Sequence, residues 1–209
     1  MDQITIIHPD GTTLPLMRRS AVSAVTNAKQ KKAFAGADTI SMTVESALPL
    51  DFQLGDKIVA FSGETYTLNQ APKIRKEGPR VYEYSLTFEG RQYELIDTLW
   101  LLPEGLMRDS FTGTLAQFAA ILISNGNRRR PGRWILGDVP AETEYKTLTY
   151  SGKNCLEVLW DLCSQYGTEA EIVEDTQAGT LILHFHTVGQ VFPYTFQYGR
   201  GKGLYELER

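Results

Sequence analysis

Apolar and polar residues alternate through most of the first hundred positions. In "TISMTVES", Ile40, Met42 and Val44 fall on one side of an extended chain, and Ser41, Thr43 and Glu45 on the other. Period two marks a strand with one buried face. "RVYEYSLTFEG" repeats the pattern with Tyr82, Tyr84, Leu86 and Phe88. Further strands are predicted over "ITII", "AVSAVTNAK" (apolar at Val22 and Val25), "GDKIVAF" and "SGETYTL". Pro9, Asp10 and Gly11 turn the chain after the first strand, and Ser62–Gly63 makes a tight hairpin turn. "RQYELIDTLWLL" is the last strand-like run. Many short strands with regular turns predict a small barrel or sandwich.

The period changes near Pro103. In "TGTLAQFAAILISNGN", Leu115, Phe118, Ala119 and Leu122 recur at helical spacing. Thr112 or Thr114 caps the start, and Asn125–Gly126 is expected to end the helix. "RWILGD" is a short strand. "TLTYSGKNCLEVLWDLCSQYGTEAEIVE" then reads as strand, helix, strand, with Ser151 as N-cap. Leu156, Leu159, Trp160 and Cys163 form its buried stripe, and Gly167 stops it. "TLILHFHTV" is one more strand. Thr112-Gly113 precedes one helix and Ser151-Gly152 the other, so this half reads as two similar pieces. The chain is expected to divide near 103–110: a β domain over 1–105, an α/β domain over 106–190, and return strands over 191–209. In that last stretch, "FQYGRGKGLYELER", a strand at Phe196–Tyr198 and a glycine turn lead into Leu204, Tyr205 and Leu207. Unpaired strands need partners, supplied by earlier strands or by more polypeptide.

The 209 residues are 42% hydrophobic and 22% charged, enough for a sizeable core without metals or disulfides. A net charge of −4 argues against a dedicated nucleic-acid binder. No apolar run approaches the ~18 residues of a membrane span, and "MDQITIIHPDG" has no secretory signal pattern. Cys155 and Cys163 fall eight apart in one predicted helix, about 12 Å of rise. That is too far for a mutual disulfide, so they are expected to be small core residues.

Candidate chemistry is thin. "HFH" puts His184 and His186 on one strand face. Zinc needs three or four ligands, and no third accompanies them in sequence. "NRRRPGR" gathers Arg128, Arg129, Arg130 and Arg133, a phosphate-binding type of loop. A solvated loop, or one contacting an acidic neighbour subunit, is preferred on net charge. "GRGKG" lacks the strand–turn–helix context of a nucleotide loop. Glu169, Glu171, Glu174 and Asp175 supply carboxylates, with Glu169 and Glu171 sharing a strand face. No GxSxG elbow, Walker loop or Cys–His signature is present. No catalytic, cofactor-binding or metal-ligating set is therefore assigned, and the chain is not expected to be an enzyme.

The run "YEYSLTFEGRQYELIDTLWLL", the helix from "TGTLAQFAAIL", and then "TLTYSGKNCLEVLWDLCSQYGTEAEI" resemble the hub proteins of phage tail tips and baseplates. They also resemble the related spike-carrying hub of type VI secretion, although its members carry a more charged second helix. The "QLGDKI…GETYTL" hairpin fits the barrel of such proteins. The resemblance implies an α+β chain: a small tube-like antiparallel β-barrel followed by a small α/β domain with two helices. It places "FQYGRGKGLYELER" where the chain returns to form a second barrel, so Arg209 is expected to end a segment of a longer protein.

A hub implies a homo-oligomer, a trimer whose paired barrels match a six-fold tube. Its partners would be tail-tube and tail-tip or spike proteins. Its place would be the virion tail, reached by assembly in the host cytoplasm. The alternatives from other classes are a tail-associated peptidase or glycan hydrolase and a host-surface carbohydrate-binding module. The first needs His184, His186 and nearby glutamates to converge in a pocket. The second needs exposed aromatics such as Tyr194, Tyr198 and Tyr205.

Overall fold

A computed structural model describes residues 3–17, 23–33, 35–60, 63–78, 81–103, 110–188, 197–198 and 203–204. Eight strands fill the first part: β1 (Gln3–Ile7), β2 (Thr13–Met17), β3 (Ser23–Lys32), β4 (Asp38–Ser46), β5 (Lys57–Val59), β6 (Thr65–Thr67), β7 (Lys73–Glu77) and β8 (Val81–Glu89). They form one sheet in the order β2-β1-β5-β6-β8-β4-β3, with β7 also pairing β8. The alternation read from sequence sets its inner face. Ile40, Met42 and Val44 from β4 meet Tyr84, Leu86 and Phe88 from β8, all at most 8% exposed. Each fully buried side chain of this kind stabilises the fold by about 1.5–3 kcal/mol. Ile6, Leu16, Val25, Ile58 and Tyr66 join the same cluster, so the sheet bends around one core.

The sheet does not close into the expected barrel. Its path ends on β2 at one edge and β3 at the other, with no ladder between them among the described residues. Closure needs strand tilt and stagger to agree around the whole circuit. Here the ladder thins to a single pair at two joints, Ile7 with Lys57 and Thr67 with Glu89. The register of β3 on β4 also slips between Val25 and Asn27. Period two specifies a buried face, which barrels and open sheets share, so alternation alone did not distinguish them.

"RQYELIDTLWLL" is not a strand. Gly90 ends β8, and Arg91–Leu95 form a 3₁₀ turn. A Cβ on Gly90 would run into the Asp38 side chain, which would have to move to admit any larger residue. Leu95, Trp100 and Leu102 turn away from the sheet into a second core.

That second core lies between two helices, α1 (Leu115–Arg129) and α2 (Cys155–Tyr166), and short strands. The strands are β9 (Ser110–Gly113), β10 (Trp134–Leu136), β11 (Lys146–Thr149), β12 (Thr168–Asp175) and β13 (Thr180–Thr187). The order β9-α1-β10 and then β11-α2-β12 matches the two similar pieces. β9 pairs β11, while β10 and β12 flank β13. The expected two helices are present.

Two helix ends differ from expectation. α1 runs through Asn125 and Gly126. Asn125 donates to the Leu101 carbonyl at 2.8 Å, and a Cβ on Gly126 would lie 2.9 Å from Trp134. That pair serves close packing, not a stop. Asn154, not Ser151, caps α2: its side chain accepts from Glu157 N–H at 2.9 Å, and the Glu157 carboxylate accepts from Asn154 N–H at 3.1 Å. Gly167 ends α2 in the left-handed region, φ 60°, as expected. Within 191–209, Gln197–Tyr198 and Gly203–Leu204 pair in parallel. The rest of that return segment, with Val22, Ser62 and Tyr194, lies outside the described residues.

Candidate functional site

A cluster of ion pairs lies where the turn after the sheet meets the α/β unit. The 3₁₀ turn after β8 delivers Arg91 and Glu94, and the loop after α1 delivers Arg130 and Arg133. Arg133 forks onto Glu94, with Nη2 to Oε1 at 2.7 Å and Nε to Oε2 at 3.1 Å. Arg130 adds a bond to Glu94 Oε2 at 2.8 Å. Arg91 pairs with Glu174 of β12, and Arg133 Nη2 lies 3.6 Å from the same carboxylate. Burial works to raise the Glu94 carboxyl, but the hydrogen bond and charge of Arg133, with Arg130 and Arg91, outweigh it and hold it low. The same bond to Glu94 raises Arg133.

Two clefts flank this clamp. The smaller, about 340 Å³, lies beside Glu89, Glu94 and Arg130. The larger, about 500 Å³, runs between the ends of β3, β4 and β6 on one wall and α2 and β12 on the other. Tyr66 donates to Asp38 Oδ1 at 2.7 Å and accepts from Gln30 at 2.9 Å there. Burial pushes the Asp38 carboxyl up, against the pull of Tyr66 and Lys32. Trp160 Nε1 donates to Gln92 Oε1 at 3.3 Å across the cleft.

Of the residues singled out from sequence, Arg130, Arg133 and Glu174 belong to the clamp, and Glu169, Glu171 and His186 line the larger cleft. His184 and His186 do share a face, their rings stacked 6.0 Å apart. His184 Nδ1 accepts from the Asp138 backbone N–H at 3.0 Å, and its ring lies against Gly137. His186 Nε2 pairs with Glu171 at 2.8 Å. Among the described residues no group of three or more metal-ligating side chains assembles. The arginine loop faces acidic neighbours within its own chain: Arg129 pairs with Asp97 at 2.8 Å, and Arg130 and Arg133 hold Glu94. Arg128 is in the last turn of α1. Glu169 and Glu171 share a face opposite His186 and His184, whereas Asp175 caps the turn at Gln177 and Ala178. Tyr194, Tyr205 and the Tyr198 side chain lie outside the described residues. Sequence reading missed Asp38, Tyr66, Arg91, Glu94 and Trp160, which come from remote segments and form no motif.

Both cysteines are buried and unbridged. Burial pushes the Cys155 thiol up to about 12 and the Cys163 thiol up to about 11. Neither is a nucleophile at neutral pH. No described helix is long and apolar enough to cross a membrane.

No family model matches the sequence, and no curated protein matches it. Solved structures do. The prophage tail protein gp18 from Listeria monocytogenes EGD-e superposes at a TM-score of 0.53 and 13% identity, over 87% of this chain and 50% of that one. The 43 kDa tail protein of prophage MuSo2 from Shewanella oneidensis superposes at 0.51 and 15% identity, over 87% and 52%. The E. coli c3393 protein, a type VI secretion component, reaches only 0.47 at 12% identity, over 88% and 45%, too low to argue from. The chain thus spans about half the length of the tail proteins it matches. Its fold is that of prophage tail proteins, shared without close sequence similarity.

Proposed function

We propose that the chain is a structural segment of a bacteriophage tail tip or baseplate hub, part of the ring that joins the tail tube to the spike or tip. The observation that carries this reading is the fold shared with two prophage tail proteins across 87% of the chain. The site supports a scaffold over a catalyst: Glu94, Glu174, Arg91 and Arg133 neutralise one another, and His184 is held by backbone. Such a segment acts by shape and by pairing with neighbours, here as a homo-oligomer, a trimer in the assembled tail. Its partners are tail-tube and tail-tip proteins, and its place is the virion tail after assembly in the host cytoplasm.

Particles decide the matter. Mass spectrometry of purified tails is expected to find the chain at low copy. Disrupting its gene is expected to leave tails without tips in negative-stain micrographs. Complete, infective tails formed without it would overturn the proposal.

A further inference from the structure

The larger cleft has an unusual wall. Four consecutive residues of β12, Glu169 to Ile172, line it. Alternate side chains of a strand point to opposite faces, so a run of four meets a cleft only where the strand presents its edge. β12 is an edge strand: in the order β10-β13-β12 it pairs only with β13.

The hydrogen-bond phase fixes which groups face out. Val188 N–H donates to Gly167 C=O at 3.1 Å, in step with the pairing of Thr168 and Thr187. Antiparallel alternation then turns Glu169 and Glu171 toward β13 and aims the backbone of Ala170 and Ile172 at the cleft. The Ala170 N–H faces the Cys163 sulfur of α2. The Ala170 C=O and the Ile172 N–H and C=O have no protein partner among the described residues.

The charge around this edge is acidic. Lys32 is spent on Glu64, Arg91 on Glu174, and His186 on Glu171. Among the described residues neither Asp38 nor Glu169 makes an ion pair, although the Lys32 charge acts on Asp38. An open edge of this kind templates one more strand.

We propose that the cleft is a docking site for an extended peptide segment of a partner protein, which adds a strand to the edge of β12 through the Ala170 C=O and the Ile172 N–H and C=O. The segment carries lysine or arginine at alternate positions, set against Asp38 and Glu169. Glu169 to Ile172 offer about 10 Å of strand, a length that a short linear segment or tail covers. This inference does not rest on the tail role. Peptide binding is read on the full chain in solution and tail assembly on particles, so either fails alone.

The test uses a five-residue peptide of alternating lysine and valine, titrated into the ¹⁵N-labelled chain. Its signals are expected to move at Ala170 and Ile172, with hydrogen exchange slowed at the Ile172 amide. A peptide with proline at its centre, unable to complete the ladder, is expected to bind at least about tenfold more weakly. Glu169→Lys, at an exposed position, is expected to weaken the lysine peptide about tenfold with the melting temperature unchanged. An unmoved Ile172 amide, or equal binding of a glutamate–valine peptide to the unaltered chain, would overturn the proposal.

Discussion

Asp56 is completely buried, yet it is a carboxylate. Two donors make that tolerable: His8 Nδ1 lies 2.7 Å from Oδ1, and Gln53 N–H donates to Oδ2 at 2.9 Å. The pair pins the turn after β1 to the start of β5. An isolated buried carboxylate would cost far more than the pair gains. Asp56→Ala leaves the His8 ring and the Gln53 amide without their acceptor. It is expected to lower stability by about 2–4 kcal/mol, read as a shift in the urea midpoint at unchanged slope. Nothing in "HPDG" announces this pair, because its partners are 48 positions apart.

At the scale of elements, both helices were legible from their apolar spacing, with Thr114 and Gly167 at two of their ends, but the end of α1 and the start of α2 were not. Ser151 and Asn154 are both good cap residues, and the choice depends on where the first turn packs. Trp100 N–H donates to Lys153 C=O, and Cys155 N–H to Thr98 C=O, which fixes the entry to α2 one turn later than sequence suggests. Asn154→Ala removes the side-chain acceptor of the Glu157 N–H and is expected to cost about 1 kcal/mol, whereas Ser151→Ala is expected to cost less than half of that. Thermal or urea denaturation of the two variants checks the assignment. The same argument covers Asn125–Gly126: a stop signal by composition became a contact surface because Trp134 needed a flat place to lie.

For the whole molecule, the clamp around Glu94 ties the 3₁₀ turn that follows the sheet to the α/β unit. The Glu94 carboxyl is depressed below its ordinary 4.5 in the fold. A depressed carboxyl adds stability above its unfolded value and loses it as pH falls through the folded one. Asp38 has the opposite sign: its raised carboxyl makes stability fall as pH rises from its ordinary 3.8 through the folded value. Glu94→Gln is expected to cost about 1–3 kcal/mol at neutral pH, between the limits for exposed and buried ion pairs. It is also expected to flatten the acid limb of stability against pH. Denaturation midpoints across the acid range read both effects, and an acid limb as steep as before would show that the clamp contributes nothing.

The two helices, the buried faces of β4 and β8, the left-handed stop at Gly167 and the solitary cysteines were all determined by local sequence. Each depends on spacing along a few residues: period two for a sheet face, period 3.6 for a helix stripe, glycine for a positive φ. Tertiary structure decided whether the sheet closes, which polar residues meet, and where the cleft lies. Those outcomes turn on ladder continuity and on charges brought together across tens of residues, as with Arg91 and Glu174. A one-dimensional pattern carries no record of distance in space, so the barrel was misread and the clamp went unseen.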